Sequence, residues 1–167
     1  DYSFGQSVRK AAAEMLKAQG KSLEGKTCLV SGSGNVAQYT VEKILDLGGK
    51  RITLSDSAGM IHDSAGIDRE KLAYVMDLKN ARRGRISEYA DKFKTAKYVA
   101  VDSKLDFNPL WDVKADCAFP SATQNEINAK DAANMMKNGV SLLAPSVEGM
   151  LAPSATSDTP FFIMLAA

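Results

Sequence analysis

Apolar residues Val8, Ala11, Ala12, Met15 and Leu16 recur at three- and four-residue steps within residues 8–18 (VRKAAAEMLKA), and the stretch is rich in helix formers. It predicts a flanking helix with one apolar stripe, ended at Gly20. The period then changes. Residues 27–31 (TCLVS) are a β-prone run too short for a helix, and Gly32-Ser33-Gly34 follows. From 35 to 47, Val36, Tyr39, Thr40, Lys43, Ile44 and Leu47 trace a helical period that Gly48-Gly49 stops. Residues 51–55 (RITLS) predict a second strand, and Asp56-Ser57-Ala58-Gly59 is loaded with turn formers. Residues 60–63, closed by Ser64-Ala65-Gly66, form a small excursion with the look of a hairpin arm. Asp68 is placed to cap a helix over 69–79, and a second helix runs from 85 or 86 to 93. Further strands are expected at 98–101, 115–119 and 140–144, with a helix over 129–137 between the last two.

Strands alternating with helices imply an α/β fold: a doubly wound, mostly parallel sheet with helices on both faces. A chain of 167 residues fits one domain, with its core at about 26–144, a flanking helix at 1–20 and an irregular tail at 145–167. Pro145, Pro153 and Pro160 interrupt that tail, and its seven apolar final residues need burial against this core or a partner. With 45% apolar and 25% charged residues the chain can build a core. Twenty-one basic residues nearly cancel 20 acidic ones, which argues against nucleic acid as a partner. The longest apolar run, 161–167, is far below the ~20 residues of a membrane-spanning helix, and the first residues carry no secretion signal. Cys28 and Cys117 both fall in strand-like runs, so free buried thiols in a reduced, cytoplasmic setting are expected.

The candidate chemistry begins at residues 31–37 (SGSGNVA), which fit G-x-G-x-x-G/A between a predicted strand and a predicted helix. Gly32 suits a tight turn, Gly34 lets a diphosphate approach backbone with no Cβ in the way, and Ala37 permits close helix–strand packing. Amides near Ser33, Asn35 and Val36 would meet the phosphates at the positive end of the helix. A plain glycine turn is the alternative, made less apt by the surrounding βαβ unit. Such a turn points to a Rossmann-like site for a dinucleotide. About 20 residues further on, Asp56 stands where a carboxylate reads the ribose hydroxyls of NAD. A 2'-phosphate beside it would be repelled by about 3 kcal/mol for unit charges ~5 Å apart at an effective dielectric of ~20. Against this, Ser57 offers a hydroxyl, and Lys79, Arg82, Arg83 and Arg85 place four cations within seven residues. A solvated helix end is the alternative for that run. Ala122, Thr123, Gln124 and Asn125 follow the strand at 115–119 and so face the same cleft, with helix capping as the alternative for Asn125. A single histidine, His62, allows no His-based triad or multi-histidine metal site, and the two cysteines lack metal-ligand spacing.

LEGKTCLVSGSGNVAQY, ITLSDSAG, LKNARRGRISEYADKF and FPSATQNEINAKDA together resemble the dinucleotide-binding domain of hexameric glutamate dehydrogenases, from about residue 15 to 140. The resemblance implies hydride transfer at a nicotinamide, interconverting glutamate with 2-oxoglutarate and ammonia. The Ser55-Asp56-Ser57 sequence with Lys79, Arg82 and Arg85 is similar to the pattern of NADP-using members, in which the serine and the cations surround the 2'-phosphate, so NADP is the expected cofactor and NAD the alternative. Residues 122–125 correspond to the family's segment along the nicotinamide ribose, with Ser121 where a cysteine is common. Two segments depart from the pattern. Phe4-Gly5-Gln6-Ser7 stands for T-G-Y-G, and residues 148–153 only partly echo G-A-N-M-P. The resemblance implies that the substrate domain, with its catalytic lysine, lies upstream of residue 1. No catalytic residue is therefore assigned here, glutamate and 2-oxoglutarate are partners only through that missing domain, and the isolated chain is expected to be inactive. A homo-hexamer is implied in the same way. A non-enzymatic association module, or the cofactor domain of another amino-acid dehydrogenase, are the competing readings.

Overall fold

The computed structural model describes residues 23–123 and 126–143. The expected flanking helix, the apolar tail, and the departures at 4–7 and 148–153 lie outside the described residues, as do Gln124 and Asn125. In chain order the elements are β1 (Thr27–Val30), α1 (Asn35–Asp46), β2 (Lys50–Arg51), β3 (Thr53–Asp56), β4 (Gly59–Asp63), α2 (Arg69–Met76) continuing into a π turn (Asp77–Ala81), α3 (Ser87–Lys92), β5 (Ala96–Ala100), a 3-10 turn (Pro109–Asp112), β6 (Cys117–Phe119), α4 (Ala129–Lys137) and β7 (Leu142–Leu143).

Four strands pair in parallel in the order β2-β1-β6-β7. Parallel neighbours need a long crossover, which α1 supplies between β1 and β2 and α4 between β6 and β7. The register sets Cys28 opposite both Arg51 and Cys117. Successive side chains point to opposite faces, so Cys28, Val30, Cys117, Phe119 and Leu142 pack with Val41 and Ile44 of α1, Val75 of α2 and Tyr89 of α3. Leu29, Ala118 and Leu143 go to the other face, against Trp111, Ile127, Ala132 and Met135. Helices thus cover both faces, and each fully buried Leu, Ile, Val or Phe contributes about 1.5–3 kcal/mol. Cys28 and Cys117 are buried free thiols, as expected.

Two expectations are corrected here. The run over 51–55 is not one strand. It bends at Ile52, whose N–H donates to Cys28 O (3.2 Å) while its carbonyl accepts from Asp63 N (2.7 Å). One edge of this segment therefore serves the parallel sheet and the other begins a second, three-stranded sheet, β3-β4-β5. The strand expected at 98–101 runs over Ala96–Ala100 and pairs antiparallel with β4, outside the parallel ladder. The reason is local. Only Ser57 and Ala58 separate Asp56 from its cross-strand partner Gly59, which leaves room for a hairpin and none for a crossover.

Helix ends follow side-chain chemistry. Asp68 caps α2 by accepting from Lys71 N (2.9 Å). At α4 the cap is Asn128, which accepts from Asp131 N (2.9 Å) while Asp131 accepts from Asn128 N (3.1 Å), a reciprocal capping box. The α-helix expected to reach residue 79 stops at Met76, and Arg82 N donates to Asp77 O (3.0 Å), an i→i+5 bond that widens the turn.

Candidate functional site

β1 and β6 of the parallel sheet and β3 of the second sheet end close together, and the segments that follow them meet there. Beyond the carboxyl ends of parallel strands is where α/β folds place ligands. Gly32 sits at φ +81°, and a Cβ built on it would lie 2.9 Å from Ser121 O and 3.2 Å from Ala122 Cα. Only glycine fits, for both reasons. Gly34 is different: its φ is −80°, and among the described residues nothing beyond its immediate chain surroundings lies within 4 Å of where its Cβ would be. Gly34 and Asn35 are exposed, Val36 is half-buried and Ala37 is fully buried against the sheet. No side chain caps α1 and no acidic residue occupies its first turn, so the positive end of the helix opens to the outside.

Buried hydroxyls hold this turn. Ser55 grips Gly32 twice, its N–H donating to Gly32 O (3.0 Å) and its Oγ accepting from Gly32 N (2.8 Å). Ser31 Oγ accepts from Ser121 N (2.9 Å), tying the end of β1 to the segment after β6. Thr53 Oγ1 accepts from Val30 N (2.9 Å) and donates to Val30 O (3.1 Å), so a side chain replaces backbone where β1 and β3 part.

Asp56 lies at the hairpin with its side chain 7% exposed. Its Oδ1 accepts from Ala58 N (2.9 Å) and Gly59 N (3.3 Å), and its Oδ2 from Ile86 N (2.8 Å) and Lys79 Nζ (3.5 Å). Burial alone would push this carboxyl up, but the amides of Ile86 and Ala58, then Lys79 and Gly59, outweigh it and hold the group below the usual carboxylate range. All four acceptor positions of the carboxylate are filled by protein donors. Ser57, exposed at the tip, accepts a hydrogen bond from Arg85 (3.0 Å). Lys79 also donates to Gly84 O (2.9 Å). Asp56, Ser57, Lys79 and Arg85 are therefore brought together. Arg82 is not: its Nε donates to Asp77 (2.8 Å) and its guanidinium lies 5.2 Å from the Tyr74 ring.

A cavity of ≈ 520 Å³ opens beside this cluster, lined among others by Ser55, Asp56, Met60, Val99, Phe107 and Glu126. Its size is that of a small-molecule site. Ala122 and Thr123 are exposed, and their amides donate to Oε2 of the cavity-lining Glu126 at 3.3 and 3.5 Å. Burial pushes the Glu126 carboxyl up, with the hydrogen bonds from Ser31 and these amides opposing. Sequence reasoning missed Glu126 as a site residue, and it quoted Ser31 and Ser55 within the motifs without their part in holding the turn. The polar Ser31 and Ser55 at the ends of apolar strands were the available signal. Among the described residues no group of three or more His, Cys, Asp or Glu is arranged to hold a metal ion.

The model of the Glutamate/Leucine/Phenylalanine/Valine dehydrogenase family matches residues 2–157. The glutamate dehydrogenase of Bacteroides thetaiotaomicron is 57% identical over 126 residues, 75% of this chain and 27% of that protein. The NAD(P)-specific glutamate dehydrogenase of Xylanibacter ruminicola is 54% identical over 142 residues, 85% of this chain and 30% of that protein. Among solved structures, Plasmodium falciparum glutamate dehydrogenase 2 superposes with a TM-score of 0.84 at 42% identity, covering 92% of this chain and 32% of that one. The chain thus spans about a third or less of the relatives it matches. With the family pattern running through nearly all of the chain, and the glycine turn, hairpin and post-β6 segment meeting where the two sheets adjoin, the chain belongs to the Glutamate/Leucine/Phenylalanine/Valine dehydrogenase family.

Proposed function

We propose that this chain is the Rossmann-type dinucleotide-binding domain of a glutamate dehydrogenase, with NADP(H) as its preferred cofactor and NAD(H) as a weaker one. The observation that carries the reading is the space at Gly34. A helix N-terminus with no side-chain cap and no acid in its first turn opens beside a position where a Cβ would meet none of the described residues beyond its immediate chain surroundings, which suits a diphosphate. Gly32, Ser33, Gly34, Asn35 and Val36 would hold that diphosphate through backbone amides. The adjoining cavity offers room for the adenosine half.

The preference for NADP follows from Asp56. A carboxylate that reads ribose must accept from its hydroxyls, and this one already accepts from four protein donors. Lys79 partly neutralises it at 3.5 Å, and the exposed Ser57–Arg85 pair offers a hydroxyl and a guanidinium to a 2'-phosphate. Names of relatives support the same choice, since the matching Helicobacter pylori J99 and Haemophilus influenzae proteins, at 47% and 44% identity, are NADP-specific glutamate dehydrogenases.

When bound, the nicotinamide supplies the hydride donor or acceptor. The chain's own part is to bind and orient it, with Ala122 and Thr123, and Gln124 and Asn125 beyond the described residues, along the nicotinamide ribose. Glutamate and 2-oxoglutarate would be handled outside the described residues, and the 167-residue chain alone is expected to bind cofactor without turnover. Hexamer formation belongs to the same proposal. Titration of the chain with NADPH and NADH, followed by calorimetry and by nicotinamide fluorescence, tests the reading. NADPH is expected to bind more tightly than NADH, and no binding of either at millimolar concentration overturns it.

A further inference from the structure

The π turn Asp77–Ala81 carries Lys79 toward Asp56, and its neighbour on the same turn, Asn80, faces α1. There the two side-chain amides exchange both bonds: Asn80 Nδ2 donates to Gln38 Oε1 (3.0 Å) and Gln38 Nε2 donates to Asn80 Oδ1 (3.1 Å). Gln38 is 3% exposed, and its Nε2 also donates to Ser33 O (2.9 Å), a carbonyl of the glycine turn itself. A buried glutamine thus joins the diphosphate turn to the turn that bears the cation, across 42 residues of sequence.

We propose that the Gln38–Asn80 amide pair is a positioning device for cofactor choice, holding the widened turn and its Lys79 at a fixed place relative to the glycine turn. This rests on the dinucleotide reading above and deepens it. A π turn is less favourable than continued α-helix and persists where side-chain contacts hold it. The contacts that hold this one are the Asn80 bridge on one side and Arg82–Asp77, with Lys79 to Gly84 O, on the other. Without the bridge only the contacts on the other side restrain the turn, so it rewinds more readily, and each residue of an α-helix advances the side chain by 100°, which swings Lys79 away from the hairpin. Binding of the diphosphate depends on backbone amides of residues 32–36 and is little affected. Binding of the 2'-phosphate depends on where Lys79 stands.

The test uses the full 167-residue chain, with NADPH and NADH as probes and thermal melts as a control. Asn80 is exposed, so Asn80→Ala is expected to keep the fold. Loss of the pair should reduce NADPH affinity about tenfold while NADH affinity changes less than about twofold, so that the preference ratio collapses. The double variant Gln38→Asn with Asn80→Gln keeps the summed length of the pair and is expected to restore much of the ratio. A ratio in Asn80→Ala equal to that of the unaltered chain overturns the inference, as does a well-folded double variant whose ratio stays as low as that of Asn80→Ala. Failure of the unaltered chain to bind either dinucleotide overturns instead the reading on which the inference rests, so the two failures are told apart.

Discussion

Replacing each of the two glycines of the turn by alanine should separate folding from binding. At Gly32 the added methyl forces a left-handed backbone on an L-residue, at about 1–2 kcal/mol. It also enters backbone already 2.9 Å away at Ser121 O, an overpacking of about 1–3 kcal/mol. The neighbour is main chain gripped by Ser31, so it has little freedom to yield. The sum, roughly 2–5 kcal/mol, lowers Tm by roughly 5–15 °C for a domain of this size. At Gly34 the backbone is ordinary and the methyl meets none of the described residues beyond its immediate chain surroundings. Alanine is a poorer N-cap than glycine by up to about 1 kcal/mol, offset by about 0.4–1 kcal/mol from a less flexible unfolded chain. Stability should therefore stay within about 1 kcal/mol. Binding should not, because the methyl occupies the space assigned to the diphosphate, and NADPH affinity is expected to fall at least about tenfold, or ~1.4 kcal/mol. Thermal melts and fluorescence titration of both variants check the pair. Gly34→Ala binding NADPH as tightly as the unaltered chain would refute the diphosphate seat, and an unshifted Tm in Gly32→Ala would refute the steric argument.

Arg85→Ala should weaken NADPH about 10- to 100-fold with little change for NADH, since charge-assisted bonds contribute about 1.5–3 kcal/mol; Arg82→Ala, whose guanidinium is engaged by Asp77 and Tyr74, should cost markedly less in the same titration. Asp56→Ala is expected to act on the fold, by about 2–4 kcal/mol in urea denaturation, because the Ile86 and hairpin amides lose a charged acceptor. Asp63 is fully buried and bonded by Lys71, Tyr89 and Thr95, which together overcome the upward push of burial and hold its carboxyl below the usual range. Below about pH 4 the unfolded chain takes up the proton first, so Asp63's contribution is fully present above that pH and is lost as pH falls through the lower folded value. Asp63→Asn should lower stability at pH 7 and flatten the acid limb of a pH–stability curve.

What could be read from sequence was whatever depends on period and punctuation. The glycine pair after 47 and the compact β-prone run over 27–31 announce α1 and β1 within a residue or two. The position of Gly32 and Gly34 between a strand and a helix is likewise a local property. Pairing partners are not. The segment 98–101 has the composition of any half-buried strand, and nothing in it says that the neighbouring slot is a hairpin arm running the other way. The π turn is also invisible to periodicity, since one extra residue in one turn leaves the apolar spacing of Leu72, Val75 and Leu78 undisturbed. Of the cations in the run 79–85, Lys79 and Arg85 reach the hairpin, while Arg82 turns to Asp77.

An aspartate ending the second strand has two opposite meanings, and counting its donors decides between them. Left with free acceptors, it would take ribose hydroxyls and repel a phosphate. Here the hairpin amides, the Ile86 amide and Lys79 saturate it, and Lys79 opposes its field at close range. The repulsion of about 3 kcal/mol computed for a bare charge ~5 Å away is therefore largely cancelled, while Arg85 adds an attraction at the exposed tip. On the proposed reading, the same carboxylate that would exclude a 2'-phosphate would become the post on which its cations are mounted. A double-mutant cycle of Asp56→Asn and Lys79→Met can measure this: if Asp56 orients Lys79, the two losses in NADPH affinity overlap, and if it repels the phosphate directly, Asp56→Asn alone tightens NADPH binding.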